Sequence, residues 1–195
     1  MTTKINILRK TAFIISLSLI IIGGYSCEGC HTPEEQKTKT EKVEKPSMDI
    51  FAAVFMSNKK AVEQHIKIGS ELNGRDAYGS TPLNIACTFG KTDIAIMLMD
   101  ANADINATNA DGSSPLHTAA FYCRTEIVKE LLTRGADKTL INQYGSTALQ
   151  SVSGPFSDVQ PIYEQIAKDL GALGLRLDLE RLENTRPEVA VLLSK

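Results

Sequence analysis

Residues 76–106 read "DAYGSTPLNIACTFGKTDIAIMLMDANADIN", and residues 109–139 repeat the pattern as "NADGSSPLHTAAFYCRTEIVKELLTRGADKT". The two copies are offset by 33 residues, so Gly79 and Gly112 hold the same place in each. A third copy opens as "NQYGSTALQS" at residues 142–151. A fixed period of this length indicates a chain built from stacked units, each of which contacts its neighbours.

Each copy carries the signals of two short helices. A glycine provides the positive φ of a tight turn, Thr81 offers an N-cap oxygen, and Pro82 fits the first helical turn. Leu83 and Ala86 then share one apolar stripe, and Ile94 begins a second stripe on an antiparallel helix. One unit cannot bury its stripes alone, whereas stacked units share a continuous core.

These motifs resemble the ankyrin repeat. The G-x-T-P-L-H-x-A-A signature has three counterparts: "GSTPLNIAC" at 79–87, "GSSPLHTAA" at 112–120 and "GSTALQSVS" at 145–153. The later I-V-x-x-L-L-x-x-G-A-D part has two: "IAIMLMDANAD" at 94–104 and "IVKELLTRGAD" at 127–137. The resemblance covers roughly residues 48–180. It implies an all-α ankyrin-repeat solenoid of stacked antiparallel helix pairs joined by β-hairpin-like loops.

We expect three parts along the chain: a signal peptide at 1–26, a disordered charged linker at 27–47, and an ankyrin-repeat domain at 48–195. The ankyrin-repeat domain is expected to consist of a cap (48–73), two repeats (74–106 and 107–139), an interrupted repeat (140–178) and a C-terminal cap (179–195). Within the interrupted repeat, residues 153–161 are interpreted as an inserted loop, and "IAKDLGALG" at 166–174 as the resumed second helix. A short C-terminal helix is predicted from about Pro187.

The N-terminal segment has the features of an export signal. Lys4, Arg9 and Lys10 precede an apolar run that is short for a membrane span, which needs ~20 residues. The small residues before Cys27 resemble a bacterial lipoprotein signal, which implies lipidation of Cys27 and an exported protein, membrane-anchored or periplasmic. Plain cleavage near Ser26 and an uncleaved anchor are the alternatives.

Composition and cysteine placement restrict the possible functions. With 43% hydrophobic and 23% charged residues, the chain suits a globular domain, and a net charge of −2 gives no indication of nucleic-acid binding. Cys27, Cys30 and His31 have no second Cys/His cluster to complete a metal site, so no metal or cofactor is predicted. Cys87 and Cys123 could form a disulfide in an oxidising compartment, but burial as small apolar residues is favoured.

Asp111, Ser114 and His117 contain the three ingredients of a nucleophilic triad within one short segment. However, Asn84 and Gln150 hold the place of His117 in the other copies, and neither amide can act as a general base. In ankyrin repeats, the residue at Ser114 caps the helix and the histidine at 117 forms hydrogen bonds within and between repeats. We therefore predict no catalytic residue and no enzymatic activity.

The resemblance also implies a binding face, because ankyrin repeats use their hairpin tips and first helices to line a concave groove. On this chain the candidate protein-binding residues are Arg75, Tyr78, Phe89, Asp111, Phe121, Tyr122, Gln143 and Tyr144. Tyr78 and Tyr144 are expected to be exposed, whereas Phe89, Phe121 and Tyr122 could instead pack between helices. Phe156 in the 153–161 insertion is a possible second contact.

Together these observations predict a monomeric, non-catalytic protein-protein interaction module at the bacterial cell envelope, which binds another protein through the concave groove. One alternative is an envelope accessory or stress-protection factor. Another is a hydrolase or metal-binding protein that uses His117 or the Cys27/Cys30 pair.

Overall fold

The structure is a computed structural model that describes residues 44–195. The predicted signal peptide, the Cys27 lipidation site and nearly all of the linker lie outside the described residues. Within residues 44–195 there are nine helices and no strand: α1 (Ile50–Phe55), α2 (Lys59–Lys67), α3 (Pro82–Phe89), α4 (Thr92–Asp100), α5 (Pro115–Phe121), α6 (Thr125–Thr133), α7 (Gln150–Ser153), α8 (Phe156–Gly171) and α9 (Leu179–Ser194).

The first helices of the two full repeats begin where the sequence predicts. The Thr81 side chain accepts a hydrogen bond from the Asn84 backbone N–H at 3.2 Å, and Pro82 is the first residue of α3. At α5, Ser114 is the N-cap and His117 completes a capping box by accepting from the Ser114 backbone N–H. Each cap satisfies backbone donors that the first helical turn leaves free.

The loops that precede α3, α5 and α7 form tight, similar turns. In each of them one side-chain oxygen, from Asp76, Asn109 or Asn142, accepts from the backbone N–H groups two and four residues later. Gly79 has φ of +70°, and a Cβ there would lie 3.0 Å from the Cβ of Ala110 in the next loop. These loops, called the tips below, therefore stack closely, and the predicted all-α solenoid is confirmed.

The helices form two rows that enclose the core. α1, α3, α5 and α7 pack in succession as the inner row, and α2, α4, α6 and α9 pack in succession as the outer row. Apolar side chains from both rows are buried between them, including Leu83, Ile94, Leu116, Ile127 and Leu182. The stripes predicted from the three- and four-residue spacing are thus the surfaces that join neighbouring units.

The predicted loop at 153–161 is wrong in its larger part. Helical structure is interrupted only at Gly154 and Pro155. From Phe156, α8 runs for 16 residues and includes Pro161. A proline so near the start of a helix removes one backbone hydrogen bond. Val159 and Tyr163, four residues apart, pack against the core from one face of α8, which favours the helix despite that loss.

The predicted second helix of the last repeat is also wrong. Residues 166–174 belong to the end of α8 and the following turn, while α9 holds the outer place. α9 packs against α6 and α7 as α6 packs against α4 and α5. It begins at Leu179, capped by Asp178, rather than near Pro187. The fourth unit is therefore α7 with α9, and α8 is inserted between them.

None of the helices between residues 44 and 195 combines the length and apolar character needed to cross a bilayer.

Candidate functional site

A cleft of about 570 Å³ opens on the inner-row side of the last three units. The tips at 109–113 and 142–146 contribute polar groups, and the floor includes Thr118, Phe121 and Tyr122 of the α5 region. The inserted helix α8 supplies an apolar wall with Val159, Ile162 and Ile166. A concave, mainly apolar site of this size with a few polar groups is typical of binding pockets in proteins.

Tyr163 fixes α8 in place. Its side chain is fully buried, and its hydroxyl donates to the Phe121 carbonyl oxygen at 2.6 Å. The Tyr163 ring lies 4.5 Å from the Phe121 ring and 5.8 Å from the Phe156 ring, between ring centroids. Phe156, expected as a possible surface contact, is instead half-buried and packs against the core. The burial of Tyr163 and its hydrogen bond therefore hold α8 in place as one wall of the cleft.

Arg186 of α9 lies at the base of the cleft and is only 3% exposed. Its guanidinium donates to the Ser151 carbonyl oxygen at 3.2 Å, to the Gly154 carbonyl oxygen at 3.3 Å, and to the Tyr163 hydroxyl at 3.2 Å. The two carbonyls belong to the C-terminal end of α7, which otherwise leaves such groups without partners. Arg186 therefore joins α7, α8 and α9.

Two predicted binding residues are the most exposed aromatic side chains of the tips. Tyr78 is 80% exposed and Tyr144 is 74% exposed, as expected from their equivalent tip positions. Tyr144 and Asp111 line the cleft, whereas Tyr78 lies on the first tip, beyond the cleft. The aromatic surface of the tips thus continues past the enclosed part of the groove.

Arg75 and Gln143 join neighbouring tips. An Nη1 donor of Arg75 reaches the Gly79 carbonyl oxygen at 2.9 Å and also bonds the Thr108 carbonyl oxygen. Gln143 donates from Nε2 to the Ala110 carbonyl oxygen at 2.7 Å. Both side chains are exposed, but they already make hydrogen bonds within the chain that hold the tips in register.

The three remaining aromatic candidates pack against other rings. Phe89 contacts Phe55 edge-on with centroids 5.0 Å apart, and Phe121 contacts Tyr122 and Tyr163. Tyr122 is 8% exposed, and burial raises the pKa of its hydroxyl to about 12. Phe121 and Tyr122 still form part of the cleft floor, whereas Phe89 does not line it.

His117 is held as a neutral ring by partners on both sides. The Ser114 backbone N–H donates to Nδ1, so Nε2 carries the proton and donates to the Ser146 carbonyl oxygen at 3.0 Å. Burial lowers the pKa of this imidazole, against the opposing effect of the backbone carbonyls. Within the described residues, Asp111 makes no hydrogen bond to His117, so the three triad ingredients are not assembled. His117 instead links two repeats.

The other chemically reactive groups are also engaged or buried. His65 is half-buried and bonded to Ser70 Oγ and the Met48 carbonyl oxygen. Cys87 and Cys123 are both free and buried, and burial raises the pKa of each thiol. No group of three or more His, Cys, Asp or Glu side chains among residues 44–195 could hold a metal ion. The Cys27, Cys30 and His31 segment lies outside those residues.

The sequence reasoning missed the apolar wall and Arg186. Val159, Ile162 and Ile166 are spaced three and four residues apart, a helical signal that the neighbouring Gly154, Pro155 and Pro161 obscured. No comparable signal marks Arg186, because its burial depends on acceptors more than twenty residues away along the chain.

The repeated helix pairs of this chain are also found in known proteins. The family model described as "Ankyrin repeats (3 copies)" matches residues 50–151, just over half of the chain. Protein phosphatase 1 regulatory subunit 27 of Homo sapiens is 44% identical over 55 residues, and that of Mus musculus 43%. The match covers 28% of this chain and 36% of each relative, so this chain spans about a third of their length.

A solved structure gives the same result for the fold. The ankyrin repeat domain of Bcl-3, described as a unique member of the IkappaB protein family, matches with a TM-score of 0.51 and 27% identity. The superposition covers 52% of this chain and 45% of that one.

Proposed function

Because the chain belongs to the ankyrin-repeat family, we propose that it is a protein-protein interaction module of the bacterial cell envelope, which binds another protein through its groove. Ankyrin repeats generally serve as non-catalytic binding units, and their architecture is shared while their ligands differ. The observation that carries the proposal is the open cleft between the tips and α8, beside the exposed Tyr144 ring.

The chemistry of the groove supports a protein as the ligand. Tyr78 and Tyr144 offer large exposed rings, and tyrosine is enriched among the residues that dominate binding energy at interfaces. Arg75 and Gln143 already hold the tips together, so little ordering is needed when a partner docks. A preorganised surface loses less conformational entropy on binding and so binds more tightly.

The test is affinity capture with the full chain, followed by measurement of the captured partner's affinity. Tyr78→Ala combined with Tyr144→Ala is expected to weaken binding about 30-fold or more, since one interface anchor often contributes ~2 kcal/mol. The control combines Met56→Ala with Val191→Ala, which removes two exposed apolar side chains that do not line the cleft. Equal binding by both double variants would show that the groove assignment is wrong.

We further propose that the chain is exported and anchored through a lipidated Cys27, and that it acts as a monomer. The basic start, apolar run and small residues before Cys27 support this localisation. Radiolabelled palmitate should enter the wild-type chain and not Cys27→Ser. Label in neither protein, with the wild type recovered in the periplasm, would refute the anchor and retain export.

A further inference from the structure

The cleft contains an apolar surface that no other part of residues 44–195 covers. Ile162 is 50% exposed although it projects from the same helix as the fully buried Tyr163. Val159 and Ile166 lie three and four residues to either side of Ile162 and line the same cleft. Because Tyr163 fixes this helix against Phe121, the surface is part of the folded wall.

The exposed charges that border this surface are both negative. Asp111 on one tip and Asp158 on α8 line the cleft and are exposed. Within the described residues, neither carboxylate has a basic nitrogen within 4.0 Å. The carboxylate of Asp111 accepts no hydrogen bond from the described residues, and the carboxylate of Asp158 accepts one, from the hydroxyl of its neighbour Ser157. These two charges are therefore available to a ligand.

The basic groups at or next to the cleft are already engaged within the chain. The Arg124 guanidinium lies over the Tyr122 ring, 6.0 Å from its centroid, and donates to the Thr88 carbonyl oxygen at 2.9 Å. His117 is bonded as a neutral ring between Ser114 and Ser146. Arg186 is buried, and its guanidinium already donates to three oxygen atoms of the chain, including the Tyr163 hydroxyl. A ligand thus meets an apolar wall in a cleft that also contains two exposed carboxylates.

We propose that this cleft binds a short protein segment in which lysine or arginine neighbours a large apolar side chain, an inference that rests on the proposed binding function. The apolar side chain packs on Ile162 and the floor, and the basic group pairs with Asp111 and Asp158. The aliphatic stem of lysine or arginine also covers apolar surface while its charged end stays in water. The Tyr144 ring at the edge provides a face that attracts a cation.

The test pans phage-displayed random dodecapeptides on the immobilised full chain and measures the affinities of the enriched peptides by fluorescence anisotropy. We expect enriched peptides to be basic and apolar. Asp111→Asn with Asp158→Asn should weaken them about tenfold, since two exposed ion pairs together contribute about that factor. Ile162→Ser should weaken them several-fold, and added salt should weaken wild-type binding more than binding by the charge variant.

The matched control is Glu164→Gln with Asp169→Asn. It removes two exposed carboxylates from the same helix α8, at positions that do not line the cleft, and affinity should stay within about twofold of wild type. Enriched peptides without basic residues, equal weakening by the two charge variants, or no enrichment would each overturn the inference.

The outcomes also separate this inference from the proposed function. If Tyr78→Ala with Tyr144→Ala abolishes partner binding and the cleft variants leave it unchanged, the groove function stands and the basic-apolar preference is wrong. If neither set of variants changes partner binding, both are wrong.

Discussion

Replacing Arg186 with methionine should loosen the C-terminal part of the stack. The arginine is only 3% exposed, and its guanidinium makes three hydrogen bonds that join α7, α8 and α9. Methionine retains much of the aliphatic stem and so leaves little empty space. The main effect is that the Ser151 and Gly154 carbonyl oxygens lose their donor.

The expected cost follows from those bonds. A hydrogen bond to a charged group contributes about 1.5–3 kcal/mol, and a buried polar group without a partner costs about 1–3 kcal/mol. Removing the charge also removes the desolvation penalty of a buried guanidinium, which offsets part of the loss. We expect the free energy of unfolding to fall by about 2–4 kcal/mol.

The measurement is urea unfolding followed by circular dichroism, together with amide hydrogen exchange. Exchange should accelerate in α7, α8 and α9 and change little in α3 and α4, because each repeat contacts only its neighbours. The control is Arg176→Met, which alters an exposed arginine with one 3.4 Å bond to the Gly171 carbonyl oxygen. Arg186→Met within about 0.5 kcal/mol of that control would refute the reasoning.

Two further changes test other parts of the stack. Burial lowers the pKa of His117 below its usual 6.5, so the unfolded state binds more protons as pH falls through that value, and the free energy of unfolding should decrease between pH 7.5 and 5.5. His117→Asn should make the urea midpoint less dependent on pH in this range, and an unchanged dependence would contradict the reasoning. Gly79 and Gly145 both have a positive φ, but a Cβ at residue 79 would lie 3.0 Å from Ala110, whereas a Cβ at residue 145 would meet open space. Thermal melting should therefore show that Gly79→Ala lowers the free energy of unfolding by about 2 kcal/mol and Gly145→Ala by about 1 kcal/mol. Equal losses in the two variants would contradict the importance of the close approach.

The repeating part of the fold could be predicted because its determinants are local. Thr81 and Pro82 begin α3, and Ser114 and Pro115 begin α5, for reasons contained within a few residues. The exposure of Tyr144 could also be predicted, because Tyr144 lies on a tip in which the turn is closed by hydrogen bonds between other residues, such as Ser146 N–H to Asn142 Oδ1. Local chemistry repeated at a fixed period therefore predicts the helix pairs, their order and the tips.

The last unit could not be predicted, because distant contacts decide it. Pro161 indicates a helix break, yet the burial of Tyr163 against Phe121 stabilises a helix across it. Leu182 and Arg186 occupy places that the 33-residue period does not indicate, since the insertion of α8 shifts the outer helix. The wall of the cleft formed by α8 was missed for the same reason.

The insertion of α8 also has a consequence for the order in which the units of the stack fold. In the earlier units the two helices of a pair are nearly adjacent in sequence, so each pair closes over a short loop. The last pair must wait for α9, which bonds Cys123 and Ser151 from 58 and 35 residues further along. Because closing a longer loop costs more chain entropy, the C-terminal unit should fold last and slowest. Until α9 docks, the apolar surface of the third unit that it covers remains open to solvent.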